Sequence, residues 1–142
     1  MRVDWALLCR YVETDGTTAT IVGAGIDTFG LAAIPGEVGT WAALRVSGSP
    51  DELGPTISHQ FSCRVLDSEM QEIVTPLETG FQTGPPAPDH QPGWTQHMVM
   101  PIFVHFHVEE PGIYTLQFTV DGNSETVSMI VHPLASPPEA GA

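Results

Sequence analysis

The feature that most constrains this chain is a period-two alternation of apolar residues running from Met98 to Val131. Tyr114, Leu116, Phe118 and Val120 alternate with Ile113, Thr115, Gln117 and Thr119, the pattern of a half-buried strand whose even positions face a core. Asp121-Gly122-Asn123-Ser124 follows. A two-residue loop at Gly122-Asn123 pairs Asp121 with Ser124 and sets Phe118 opposite Val127, Leu116 opposite Met129 and Tyr114 opposite Val131. Upstream, Met98, Met100, Ile102, Val104, Phe106 and Val108 alternate with His97, Val99, Pro101, Phe103, His105 and His107. Pairing this strand with the next puts Val108 opposite Tyr114, His107 opposite Thr115 and His105 opposite Gln117. Such pairing requires an odd-numbered loop or a bulge around Pro111-Gly112, because a one-residue slip turns every side chain to the wrong face.

The rest of the chain reads the same way. A first strand spans residues 3–12, with Val3, Trp5, Leu7, Cys9 and Tyr11 on its odd, inward face. Asp15-Gly16 closes a hairpin that pairs Thr14 with Thr17 and sets Cys9 against Val22, Leu7 against Ala24 and Trp5 against Ile26. A connection over 30–39 leads to a third strand from Val38 to Ser47, and the segment 47–55 holds at most one helical turn. A fourth strand, Thr56 to Leu66, puts Ile57, His59, Phe61, Cys63 and Val65 on one face. A fifth, Ile73 to Thr79, is interrupted by Pro76 and belongs at an edge or a bulge. Residues 80–94 form one long irregular loop, and the end, 133–142, lacks periodicity and is expected to be disordered.

Composition narrows the class. A chain of 142 residues with 14 Gly, 13 Pro and only 15% charged residues fits short strands joined by tight turns better than long helices. Seventeen acidic residues stand against four arginines and no lysine, a formal net charge of -13. Nucleic acid and anionic membrane are disfavoured as partners, since both are bound through clustered Lys and Arg. No stretch approaches the roughly 20 apolar residues of a membrane span, and the N-terminal segment, with Asp4 and no long apolar run, does not read as a signal peptide. A cytoplasmic location is expected. Two cysteines, Cys9 and Cys63, are too few for a disulfide framework; a bridge between them is open, and free buried thiols are the expectation in a reducing compartment.

Together these elements describe one domain over residues 1–132, an all-β antiparallel two-sheet sandwich of seven to eight strands, with a small β-barrel as the alternative. The run Pro111-Gly112-x-Tyr114-x-Leu116-x-Phe118-x-Val120-Asp121-Gly122 resembles the closing hairpin of many bacterial immunoglobulin-like modules. Leu7-Leu8-Cys9-x-Tyr11-Val12, with Gly25-Ile26-Asp27-Thr28-Phe29 after the first hairpin, resembles a family of small bacterial proteins of unknown function. The resemblance spans most of residues 3–131, implies an immunoglobulin-like fold, and assigns no catalytic or binding residue.

Candidate chemistry centres on histidine. His105 and His107, two apart on a strand, share a face with His97, and imidazoles so placed can chelate a divalent metal. The carboxylates Glu109 and Glu110 follow too closely to complete a cupin-like ligand set, so solvent-facing or interface histidines are the ordinary reading and no metal or cofactor is assigned. His59, on the inward side, reads as a neutral imidazole donating to a backbone carbonyl. Gly23-Ala24-Gly25-Ile26-Asp27-Thr28 lacks the third glycine of a dinucleotide fingerprint, and Asp27-Thr28 lacks the glycine of an aspartic-protease motif. No nucleophile elbow or Cys-x-x-Cys occurs. What remains is a surface: Val99, Pro101 and Phe103 beside the histidines are either exposed for a partner or covered by Phe81 and Trp94 of the loop 80–94. The expected function is a non-catalytic binding or assembly module, joining a protein partner or a homo-oligomer; the alternative is a metal-binding protein or metal-dependent enzyme using His97, His105 and His107.

Overall fold

A computed structural model describes residues 1–15, 18–135 and 141. Its strands are β1 (Arg2–Cys9), β2 (Tyr11–Thr14), β3 (Ala19–Val22), β4 (Thr28–Leu31), β5 (Gly36–Gly48), β6 (His59–Leu66), β7 (Leu77–Phe81), β8 (Gln96–Val108), β9 (Gly112–Val120) and β10 (Asn123–Pro133), with a 3-10 turn at Pro50–Glu52. A three-stranded sheet, β1-β5-β8, faces a five-stranded sheet, β4-β10-β9-β6-β7, and β2 and β3 form a separate hairpin. The sheets do not close, so the barrel alternative falls and the sandwich stands. All pairs are antiparallel except β10 with β4, which run parallel.

Alternation builds the core. Val38, Ala42, Leu44 and Val46 of β5 and Val104, Phe106 and Val108 of β8 turn inward against Phe61, Cys63 and Val65 of β6, Tyr114, Leu116, Phe118 and Val120 of β9, and Met129 and Val131 of β10. Each of these strands thus turns alternate residues inward, as the period requires.

The structure corrects four pairings read from the sequence. First, β8 is not the hairpin partner of β9: it pairs with β5 along its whole length, from Gly36↔Val108 to Gly48↔Gln96, and Pro111-Gly112 carries the chain across to the other sheet. The inward faces do meet, with Phe106 and Tyr114 ring centroids 6.0 Å apart, but across the core rather than along a ladder. A matched apolar face is satisfied equally by either arrangement, which is why alternation alone did not separate them.

Second, the β9–β10 loop is Asp121-Gly122, with φ of 47° and 82°. Both positive angles belong to the tight hairpin turn that favours Asp-Gly. Leu116 therefore pairs with Val127 and Tyr114 with Met129, a two-residue slip that leaves every side chain on its expected face. Third, the register of the first hairpin is also shifted by two, with Tyr11 opposite Val22 and Thr14 opposite Ala19, but here the faces are exchanged: Val12 and Ile21 pack inward and Tyr11 and Val22 are exposed. The residues expected in its turn and at its closing pair, Gly16 and Thr17, lie outside the described residues.

Fourth, the expected first strand is two strands split at Arg10, and a bulge at Asp4 shifts the register of β1 on β5 between Val3 and Trp5. Beyond the bulge Ala6 and Leu8 face the main core, while Trp5, Leu7 and Cys9 turn outward into a second cluster with Val12, Ile21, Trp41, Ala43 and Val99. A bulge inserts one unpaired residue, and one residue inverts the face.

Smaller boundaries also move. The fourth strand begins at His59 and the fifth at Leu77, just after Pro76 and at the sheet edge. β10 continues to Pro133, and the Leu134 N–H donates to Leu31 O at 2.8 Å; the expectation of disorder over 136–140 and 142 lies outside the described residues. Cys9 and Cys63 are free thiols in the two separate clusters.

The Asp121 turn is tied to β6. Asp121 Oδ1 accepts from the Gln60 N–H at 3.0 Å and Oδ2 lies 2.6 Å from His59 Nδ1. Burial works against this carboxylate, but the Gln60 amide and the His59 ring outweigh it and hold its pKa below the usual range. Asp121→Asn keeps a residue that tolerates positive φ and is expected to lower stability at neutral pH by about 1.5–3 kcal/mol. Because the folded pKa is depressed, the loss should be complete above pH ~4 and fade as pH falls through the folded value. Urea melts of both proteins across pH check this. In the same melts, Phe118→Ala in the core should cost about 3–5 kcal/mol.

Candidate functional site: the outward face of the β1-β5-β8 sheet

The outward face of this sheet is built from the odd residues of β5 and β8, whose pairing sets Ser47 beside His97, Arg45 beside Val99, Ala43 beside Pro101, Trp41 beside Phe103, Gly39 beside His105 and Glu37 beside His107. It falls into three zones. At one end Asp4, thrown out by the bulge, accepts from the Ser47 hydroxyl at 2.8 Å and lies 3.2 Å from His97 Nδ1. Burial opposes ionisation of Asp4, but the Ser47 and His97 bonds hold its pKa below the usual range.

In the middle the β2–β3 hairpin covers the sheet, packing Val12 and Ile21 over Trp5, Leu7, Ala43 and Val99. This cover is not the expected one. Trp94 of the loop 82–95 is 55% exposed, its ring edge-on to His90 with centroids 6.0 Å apart, and Phe81 lies 5.3 Å from the His59 ring instead.

Beyond the hairpin the face is open and aromatic. Phe103 is 53% exposed and Tyr11 46%, and both meet Trp41 edge-to-face, at 5.3 Å and 6.2 Å between centroids. Phe103 lies over Gly39, where an added Cβ would come within 3.2 Å of its Cζ; the absent side chain lets the ring settle onto the strand. Next to it a groove of about 470 Å³ is lined by Arg10, Phe29, Gly39, Trp41 and Phe103 among others. It opens because β1 leaves β5 at the Cys9↔Trp41 pair, so residues 36–40 of β5 have no β1 partner.

At the far end His105 and His107 converge on one carboxylate. His107 Nδ1 is 2.8 Å from Glu37 Oε1, His105 Nε2 is 3.4 Å from Glu37 Oε2, and His107 Nε2 is 3.3 Å from Glu109 Oε1. The bond to Glu37, aided by the Glu109 charge, raises the pKa of His107. His97 takes no part: eight residues of strand separate it from His105, about 26 Å. The triplet His97, His105 and His107 that the alternative metal-binding reading requires is therefore not assembled, and among the described residues no group of three or more His, Cys, Asp or Glu is arranged to hold a metal ion.

His59 is buried, and its Nε2 donates to Glu52 O at 2.7 Å, the carbonyl partner expected, while Nδ1 meets Asp121. The Met1 ammonium also sits against Glu52 and Asp121. The ring's polar atoms are thus committed to joining the 3-10 turn, β6 and the β9–β10 turn. Burial pushes the Cys63 thiol up to about 11 and raises Cys9 too, leaving both weak nucleophiles.

Trp41, Tyr11 and Glu37 join the site although the sequence did not single them out for it. Trp41 was legible as outward on its strand, but its neighbours depended on the β5–β8 pairing. Glu37→Gln should bring the His107 pKa down toward its ordinary value in an NMR titration of the ring. With the folded pKa raised, the stabilisation from this contact is full below pH ~6.5 and lost as pH rises through the folded value, so the variant and the natural protein should converge in stability at alkaline pH.

Compared with known proteins, residues 4–131 match the model of a family of unknown function (DUF6941), and the chain belongs to that family. No curated protein and no solved structure matches it.

Proposed function

We propose that this family member is a non-catalytic binding or assembly module, with a protein partner or a second copy seated on the outward face of β8. The observation that carries the reading is the aromatic run Phe103–Trp41–Tyr11, exposed at both ends and half-buried at Trp41, since contiguous apolar surface left open to water marks an interaction site. Aromatic anchors that leave water on binding supply most of the energy of such contacts. Glu37, His105 and His107 lie at its rim, where the charge of His107, favoured by its bond to Glu37, tunes association. The committed ring of His59 and the raised thiol pKa values support a role without catalysis.

The net charge of -13 argues for a partner other than nucleic acid or anionic lipid, and no helix among the described residues is long and apolar enough to cross a membrane. We take the fold to be of the bacterial immunoglobulin-like type, a reading that the two facing sheets support, and the location to be the cytoplasm, which the two free thiols fit.

Phe103→Asp places a charge in the centre of the aromatic run without touching the core. Native mass spectrometry of complexes recovered from the protein's own host should show them lost in this variant and kept in Leu77→Asp, a change at an exposed position of β7 on the other sheet. Complexes unchanged by Phe103→Asp, with the fold intact by circular dichroism, would overturn the reading.

A further inference from the structure

Strand β8 is the outer strand of its sheet, and the direction of its free backbone groups follows from the opposite edge. Leu8 O accepts from the N–H groups of Gly25 and Ile26, at 2.9 and 3.3 Å, so Leu8 points away from β5. Backbone groups alternate along a strand; odd residues of β1 therefore bond β5, odd residues of β5 bond β1, and even residues of β5 bond the even residues of β8. The N–H and C=O groups of Phe103, His105 and His107 are left facing outward from the sheet, in the plane of a further strand. Pro101, which has no N–H, falls on the same outward side, the position an edge strand permits. No backbone hydrogen bond among the described residues links β8 to anything but β5.

The other edges are blunted and this one is not. β4 has four residues and β7 five, with Glu78 within it; β1 carries the Asp4 bulge and the Leu8 contacts. β8 has thirteen residues paired without a register break and no charged side chain. Short length, charge, bulges and proline are the devices that prevent edge pairing; β8 is long and unbulged, carries no Asp, Glu, Lys or Arg, and its one proline, Pro101, lies outside residues 103–107. Moreover, residues 90–108 contain no Asp, Glu, Lys or Arg in a chain of net charge -13. Two such chains repel over most of their surface and approach at least cost along this stretch, whose nearest acids, Glu37 and Glu109, lie against His105 and His107.

We propose that the free edge of β8 pairs antiparallel with β8 of a second copy about a two-fold axis at His105, joining two three-stranded sheets into one. Residues 103–107 form the contact, Phe103 opposite the second copy's His107, and the isologous symmetry closes the assembly at two chains. This rests on the reading of β8 as the working surface and names its partner.

Sedimentation equilibrium of the full chain should find twice the 15.2 kDa chain mass, dissociating on dilution. Amide exchange by NMR should show Phe103, His105 and His107 protected in the dimer and exposed on dilution. His105→Pro removes the central outward N–H without a ladder bond to β5, and is expected to weaken association at least about tenfold. His105→Glu, which leaves backbone geometry alone and sets like charges across the axis, should do the same. A chain monomeric at millimolar concentration would overturn the proposal, as would a dimer whose 103, 105 and 107 amides exchange freely. A monomer whose hetero-complexes are still abolished by Phe103→Asp would overturn the self-pairing while leaving the proposed binding role intact.

Discussion

The inner face of β5 and β8 has one place to go, against β6, β9 and β10, and the burial of those two apolar faces is the constraint on which the rest of the structure depends. Val38, Ala42, Leu44 and Val46 on one side and Leu116, Phe118 and Val120 on the other are almost wholly removed from water, each contributing roughly 1.5–3 kcal/mol for its larger side chains. Once these residues point inward, their neighbours along each strand point outward by the same period. The exposure of Phe103, His105 and His107 is therefore fixed by the core positions Val104, Phe106 and Val108 between them. The surface is the other half of the fold's own arithmetic.

That arithmetic was legible in the sequence and its geometry was not. The alternation in β8, β9, β5 and β6 correctly separated inward from outward residues, and the shift in the β9–β10 hairpin preserved faces because it moved by two; in the first hairpin Val12 and Ile21 face inward where Tyr11 and Val22 were expected. The failure in β1 came from a single inserted residue, Asp4, which no period can announce. The neighbours of β8 were missed for a different reason. Facing sheets and adjacent strands impose the same parity on Phe106 and Tyr114, so Glu37 and Trp41 could not be placed beside His107 and Phe103 until the β5–β8 ladder was known. The cover over Val99 was likewise sought in the loop before β8, because the split at Arg10 that sends β2 and β3 across the sheet leaves no trace in periodicity.

The outward face that results is divided by what covers it. The hairpin β2–β3 supplies a small second core over the middle, the bulged Asp4 gathers polar groups at one end, and the departure of β1 leaves the aromatic zone open at the other. The histidines there are engaged with Glu37 rather than arrayed for a metal. His59, Glu52 and Asp121 form a polar lock at the opposite side of the sandwich, where satisfied buried groups specify one arrangement of turn and strand. His59, His97, His105 and His107 are thus engaged with carboxylates of the fold itself, and the proposed role rests on a surface and a strand edge.

Native mass spectrometry of untagged protein from its own host tests this account most directly, because one spectrum reports subunit multiples, partner chains and bound small species together. The account predicts the bare chain as a multiple of its own mass or joined to a second protein. A monomer carrying a stoichiometric metal ion or small molecule would contradict it and return attention to His105, His107 and Glu37 as a binding site.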